Sequence, residues 1–360
     1  MNKKIFLRTD WYLILPVIVL VLVSLVTLFS LNPLFFRSQI IFLVVSVFAF
    51  ILFSEFNYKI VKLYAVPIYF FSLLVFILIF FLGVESRGAV RWIDVMGFRF
   101  QFSEILKPFL AVSLASYLIE KKNYSFNSLI TTLLLLSPIV FLIFFQPDLG
   151  TALLYAGTVF ATLIYIGFSF KYFVGLSIPF LAAIPILWNF LHDYQRQRVL
   201  TFIDPSSDPL GTSYNVIQSV IAVGSGMIFG KGLGQGTQSG LRFLPERHTD
   251  FIFASISEQL GFIGAIIVVI SFAFFLYKIY TIFSSSDDKF TRVFSAIVFF
   301  SFLIQIFVNI GMNVGMVPVV GVTLPFVSYG GSSLLSSFIF LGFLSSINKA
   351  SKDNDVLEIR

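Results

Sequence analysis

Arg247, His248, Thr249 and Asp250 stand side by side immediately before the apolar run FIFASISEQLGFIG. Holding ionised groups at the edge of an apolar layer is costly, so the placement asks for a reason. Low dielectric raises the pKa of a carboxylate at a water–lipid rim, while neighbouring cations restrain the rise. A general base needs that balance. Asp250 is therefore the candidate base, with Glu246, Arg247, His248 and Thr249 around it. A plainer reading makes Thr249 or Asp250 the cap of the next helix and leaves Glu246 and Arg247 among headgroups. The chain has 2 histidines, and His192 is remote from His248 in sequence, so histidine points to no metal cluster.

Other polar residues interrupt apolar sequence in the same way. Glu104 and Lys107 in FSEILKPFL are three apart and share a helical face. They read either as an interfacial ion pair or as the charged wall of a substrate cavity. In FFQPDLGTA, Pro147 ends one helix and Asp148 caps the next. The stretch NIGMNVGMVPVVGVTLPFVSYGGSS is punctuated by Gly and by Pro318 and Pro325. Such backbone is tolerated at membrane depth only where protein covers it or it lines water, so its free amides and Ser328 are candidates to meet a polar ligand. GKGLGQG fails as a phosphate loop, because Ser225 and Gly232 occupy positions that need Gly and Ser or Thr. It reads as a flexible turn.

The elements that position these residues must be membrane spans. Of 360 residues, 58% are hydrophobic and 12% charged, and mean hydropathy is +0.96. Soluble domains carry about 25% charged residues. Apolar blocks such as WYLILPVIVLVLVSLVTLFSL match the ~20 residues that cross a ~30 Å hydrocarbon layer. The fold class is all-α, a polytopic integral membrane protein forming a single transmembrane domain over 1–360. Ten spans are expected, near 12–31, 38–54, 63–83, 104–119, 128–145, 151–167, 171–190, 251–279, 290–311 and 332–347. The first block reads as a retained span and not a cleaved signal. With both termini inside, Lys3, Lys4, Lys59, Lys62, Lys121, Lys122, Lys278, Lys289 and Lys349 lie inside, while the short outside connections hold only Arg37. Two longer outside segments, 83–108 and 191–250, carry the polar chemistry. The second contains an amphipathic stretch near 214–230 that reads as an interfacial or re-entrant helix. With no cysteine, disulfides and thiolate metal sites are excluded. The net charge of +6 fits topology and anionic headgroups, not nucleic acid.

Four motifs in order, RWIDVMGFRFQFSEILKP, QPDLGTALL, GKGLGQGTQSGLRFLPERHTDFIFASISEQLGFIG and PVVGVTLPFVSYGGSS, resemble the SEDS family of shape, elongation, division and sporulation proteins. The likeness covers essentially the whole chain. GTQSGLRFLPERHTD and PVVGV are closest to the RodA-like elongation branch, and Gly240 and Thr323 depart from the usual pattern. The resemblance implies an inverting peptidoglycan glycosyltransferase of the hexosyltransferase class, acting in cell elongation. It would polymerise lipid II onto a nascent lipid-linked glycan at the outer face of the bacterial cytoplasmic membrane. A class B penicillin-binding protein is its implied partner, alongside membrane lipids. The family's essential loop aspartate falls on Asp250 and its cavity pair on Glu104 and Lys107. The cations available to a diphosphate are Arg87, Arg91, Lys107, Arg242 and Arg247, and a divalent cation, Mg2+ or Mn2+, is implied with no identified site. The competing classes are a lipid II flippase and a non-catalytic scaffold for the penicillin-binding protein.

Overall fold

The computed structural model describes residues 10–86, 89–95, 98–191, 193–204, 208, 211 and 213–358. Helices dominate. The first, α1 (Trp11–Leu31), stops at Asn32, whose extended backbone turns the chain and whose side chain accepts from Leu34 N at 2.9 Å. Pro33 then opens α2 (Pro33–Glu55), because a first-turn proline loses no hydrogen bond. Asn57 caps the short α3 (Tyr58–Leu63), which leads into α4 (Ala65–Leu82).

The all-α class holds, with one small sheet added to it. Val84–Ser86, Ala89–Val95 and Phe98–Gln101 form β1, β2 and β3 of an antiparallel sheet in the order β1-β2-β3. FRFQ alternates large apolar with polar residues, the two-residue period of a strand, whereas AVRWIDV breaks that period at Trp92–Ile93. After the sheet come α5 (Phe102–Ile105) and α6 (Lys107–Ile119), then α7 (Phe126–Phe145) and α8 (Leu149–Tyr165). Asp148 caps α8 by accepting from Thr151 N at 3.2 Å. Next are α9 (Phe170–Phe190), α10 (Asp193–Ile203), α11 (Tyr214–Ser225) and the single turn α12 (Thr237–Gly240). Three long helices complete the chain: α13 (Ile252–Ser285), α14 (Lys289–Asn313) and α15 (Gly331–Glu358).

Among the described residues, 8 helices are long and apolar enough to cross a membrane. Two further apolar helices, α8 and α9, coincide with the sixth and seventh expected spans but fall short of that measure. Burial orders the bundle. The spanning part of α15 is 89% buried and that of α14 is 61%, against 17% for α2. The innermost helix is also the least apolar. Its buried Ser332, Ser333, Ser336, Ser337, Ser345 and Ser346 are small, which lets neighbouring backbones approach. At Gly342 a Cβ would sit 3.1 Å from Phe50 O and 2.7 Å from Phe53 Cβ, so α2 packs directly on the α15 backbone. Around this seam, fully buried Phe275, Phe294, Phe302, Phe326 and Phe343 fill the core. By contrast, α9 meets the bundle at its first turn, through Phe173 on Phe160 and Tyr172 on Phe126, and its later residues are largely exposed.

Candidate active site at the rim of the bundle

The segment 247–250 is fastened through four consecutive carbonyls. Arg247 O accepts from Ser255 Oγ at 2.9 Å and His248 O from Tyr329 N at 2.8 Å. Thr249 O accepts from Ser328 Oγ at 2.7 Å. Asp250 O accepts from both Asn309 Nδ2 at 3.1 Å and Asn313 Nδ2 at 3.0 Å. With its backbone held from α13, α14 and the 314–330 segment, this turn cannot slide, and its side chains project from a fixed frame. The Asp250 carboxylate lies against Gly321, where a Cβ would come 3.6 Å from Oδ2. Gly321 has φ +72°, a conformation that side chains other than glycine's rarely adopt.

The plainer reading of Thr249 or Asp250 as a helix cap does not hold. Phe251 occupies the cap position of α13 and no side chain caps it. Asp250 is instead drawn onto α14 by its carbonyl, and the Thr249 hydroxyl bonds Glu246 Oε2 at 2.9 Å. Glu246 O accepts from Thr249 N and Phe251 N, closing a tight turn around Glu246 at φ 50°. His248 stacks on Phe35, with centroids 4.1 Å apart and planes 4° from parallel, which fixes the ring by packing. Ser328 is likewise committed: its hydroxyl accepts from Leu324 N as well as donating to Thr249 O, so it shapes the loop and does not face a ligand.

Arg247 is only 8% exposed, and its Nε makes no hydrogen bond. Burial, and then the nearby Arg242 guanidinium, push its pKa below the usual arginine range. Arg242 itself is exposed, in a positive-φ turn at 67°. One guanidinium is near enough to be felt by the other, and the buried one keeps an Nε donor without an acceptor; planar forks of this kind suit carboxylates and phosphates.

The second group of expected residues is deeper. Glu104 Oε2 and Lys107 Nζ are 2.6 Å apart and both residues are buried. Lys107 also donates to Gln305 Oε1 at 3.3 Å. Gln305 begins a stripe that the motif reading passed over: Gln305, Asn309 and Asn313 recur every four residues on one face of α14. Gln305 Nε2 donates to Thr323 O at 3.0 Å, Asn309 Nδ2 to Val322 O at 2.7 Å, and Asn313 Oδ1 accepts from Ala254 N at 2.9 Å. The stripe thus joins the buried ion pair to the Asp250 turn. Three amides at helical spacing inside KFTRVFSAIVFFSFLIQIFVNIGMN were the signal that could have found it.

Arg91 is not an unpaired cation. Its Nη1 lies 3.2 Å from Asp148 Oδ1, while Gln101 Nε2 reaches Asp148 Oδ2 at 2.6 Å. This cluster fastens the sheet to α8, which removes Arg91 from the residues best placed for a ligand. Arg87 lies outside the described residues.

A fully buried carboxylate, Glu258, organises the loop above the site. It accepts from Gln238 N and Ser239 N at 2.8 Å each and from Ser239 Oγ at 2.6 Å, with Lys231 Nζ at 3.3 Å. GKGLGQG is therefore a pinned segment and not a flexible turn. Its backbone also completes a break in α13. Gly261 sits at φ 68°, ψ −163°, and the amides it releases, Phe262 N and Ile263 N, bond Met227 O and Ile228 O at 2.8 and 3.2 Å. In return Lys231 N and Gly232 N bond Glu258 O and Gln259 O. The expected single eighth span is two helical pieces with the chain after α11 stitched into the gap. Such irregular backbone at membrane depth needs protein cover, and the 227–232 segment provides it.

A polytopic helical membrane protein with a fastened, carboxylate-bearing turn and a buried arginine at one end of its bundle is the class these features define. The chain belongs to the FtsW/RodA/SpoVE family of cell cycle proteins, whose model matches residues 3–353. It is 44% identical over 271 residues to the peptidoglycan glycosyltransferase MrdB of Escherichia coli (strain K12), covering 74% of this chain and 72% of that protein. It is also 37% identical to the stage V sporulation protein E of Bacillus subtilis (strain 168), over 78% and 77% of the two chains. Among solved structures, a chain of a peptidoglycan synthase complex that coordinates polymerization and crosslinking superposes with a TM-score of 0.83 at 30% identity, covering 95% of this chain and 98% of that one. The rod shape determining protein RodA of Thermus thermophilus superposes at 0.71 with 26% identity, over 95% and 97%.

Proposed function

We propose that this protein is a peptidoglycan glycosyltransferase that joins lipid II disaccharide units by β-1,4 bonds during cell elongation, with Asp250 as general base. The observation that carries the assignment of the base is the fastening of 247–250 through every carbonyl, which holds one carboxylate in place at the rim. Asp250 takes the proton of the acceptor sugar's 4-hydroxyl as that oxygen forms its bond to the donor anomeric carbon. The bond from that carbon to the diphosphate breaks, its electron pair leaves with the polyprenyl diphosphate, and one inversion turns an α-linked donor into a β product. A positioned base supplies about 10²–10⁴-fold, so the remaining rate must come from orientation and from stabilising the departing charge. Arg247 and Arg242 are the residues we assign to the diphosphate. Among the described residues no three His, Asp or Glu come together as a metal-binding group. No step here runs through a divalent ion.

Family membership and the synthase-complex likeness support a class B penicillin-binding protein as partner, which would cross-link the product. The Lys and Arg bias supports both termini inside, ten spans and the Asp250 rim outside. The exposed length of α9 supports a membrane-facing groove for prenyl chains beside it. The test is polymerisation of labelled lipid II by the purified protein with its partner. Asp250→Asn is expected to fold and to make no glycan strands; strands of ordinary length and yield from that variant would remove Asp250 as base.

A further inference from the structure

A cavity of about 610 Å³ lies between α3, α4, α6, α7, α8 and α14, and the mechanism does not use it. Its deep end is at Lys107 and Tyr155, and its other end is at Lys59, Lys62 and Glu120. On α14 it touches Ile297 and Ser301, which lie along the helix in the opposite direction from Asn309 and Asn313. It therefore opens at the end of the bundle away from Asp250. Its size is that of a small-molecule or lipid-chain site, for which about 300–1,000 Å³ is usual.

Two features of its lining specify an occupant. The wall is mainly apolar, with Leu110, Leu114, Leu136 and Ile139 among its residues, which suits a hydrocarbon chain. The mouth itself is net basic. Lys59 is exposed, Lys62 lies 5.5 Å over the Phe290 ring, and Lys121 sits 4.2 Å over the lining residue Tyr117, against the one acid Glu120.

We propose that this cavity binds an anionic phospholipid, with one acyl chain along the apolar wall and the phosphate held by Lys59 and Lys62. A polyprenyl diphosphate substrate belongs at the opposite end of the bundle, beside Asp250 and Arg247, so the occupant here is a lipid of the bilayer. A zwitterionic lipid would bring its own cation to a basic mouth.

The test does not depend on turnover, so it stands apart from the glycosyltransferase reading. The full-length protein is extracted from phosphatidylcholine vesicles made with and without phosphatidylglycerol, and retained lipid is counted by native mass spectrometry. Wild type is expected to retain phosphatidylglycerol in preference to phosphatidylcholine. Lys59→Gln should weaken that retention about 5-fold and Lys59→Gln with Lys62→Gln about 30-fold. Ser116→Phe, which fills the cavity, should abolish it; if that variant fails to fold, the lysine variants at the mouth carry the test. Equal retention of the two lipids, or phosphatidylglycerol binding indifferent to the lysines, overturns the proposal. So does displacement of phosphatidylglycerol by labelled lipid II, or thermal stabilisation by inorganic phosphate alone that equals that by the lipid.

Discussion

Arg247 is the residue whose energetics and chemistry pull in opposite directions. Its lowered pKa means that the folded state disfavours its charged form. A cation whose folded pKa lies below the unfolded one weakens the fold at every pH where it is charged, and neutral pH is well inside that range. Arg247→Gln is therefore expected to unfold at the same or a higher temperature than wild type in a thermal melt. The same change removes the buried donor assigned to the departing diphosphate, and losing one such group costs about 10²–10³-fold in rate. A variant both less stable and fully active would contradict both halves of this account. Asn313 gives the complementary case. It holds Asp250 O, Asn309 O and Ala254 N, so Asn313→Leu leaves Ala254 N without its acceptor, at about 1–3 kcal/mol, and leaves Asp250 O to Asn309 alone. Denaturation should show that loss. Glycan synthesis per folded molecule should fall as well, because the same amide fixes the turn that carries Asp250.

Elements were legible in the sequence wherever one segment's own pattern decided its fate. Long apolar runs announced the spans, Pro147–Asp148 announced the cap of α8, and the spacing of Glu104 and Lys107 announced their pairing. What the sequence hid depends on partners far along the chain. Gly261 reads as one more glycine in an apolar helix, a common residue there. Its break is visible only once residues 227–232 are seen bonding across it. Glu258 is a lone carboxylate in ASISEQLG, and its partners are some twenty residues upstream. The sheet is hidden for a different reason: AVRWIDV sets Trp92 beside Ile93 and does not keep the two-residue period of a strand. The break in α13 makes a firm prediction. A Cβ at Gly261 would lie 2.3 Å from Gly230 N and 2.4 Å from Ile228 O, at a backbone conformation essentially restricted to glycine. Gly261→Ala must shift one of the two segments, and we expect a loss of at least about 1–3 kcal/mol in unfolding free energy. Limited proteolysis should open first between 227 and 240, since that segment loses its seat.

At the scale of the whole molecule, the polar residues divide the bundle into two unlike ends. Asn32, the Asp250 turn and the 314–330 segment share one end, for Gln39 on the first half of α2 bonds both Ser328 O and Gly330 N. The far end of α2 meets the other end, where Lys349 pairs with Glu55 at 2.8 Å. Lys59, Lys62, Lys121, Lys122, Lys278 and Lys289 all belong to connections or helix ends on that second side. A cation excess on one side sets orientation, because short basic loops resist translocation. The chemistry needs the opposite side, where the lipid-linked sugar and the growing wall are found. Orientation is therefore the prediction on which the base, the diphosphate site and the phospholipid cavity jointly depend, and the chain is suited to testing it. With no native cysteine, single cysteines can be introduced without background labelling. Leu241→Cys, 68% exposed beside Arg242, is expected to react with a membrane-impermeant maleimide added to intact spheroplasts. Lys122→Cys and Asp287→Cys, both exposed on the far side, should react only after the membrane is permeabilised. The reverse pattern would put Asp250 on the same side as the bulk of the lysines, away from any extracellular acceptor, and would leave Arg247 with no diphosphate to meet.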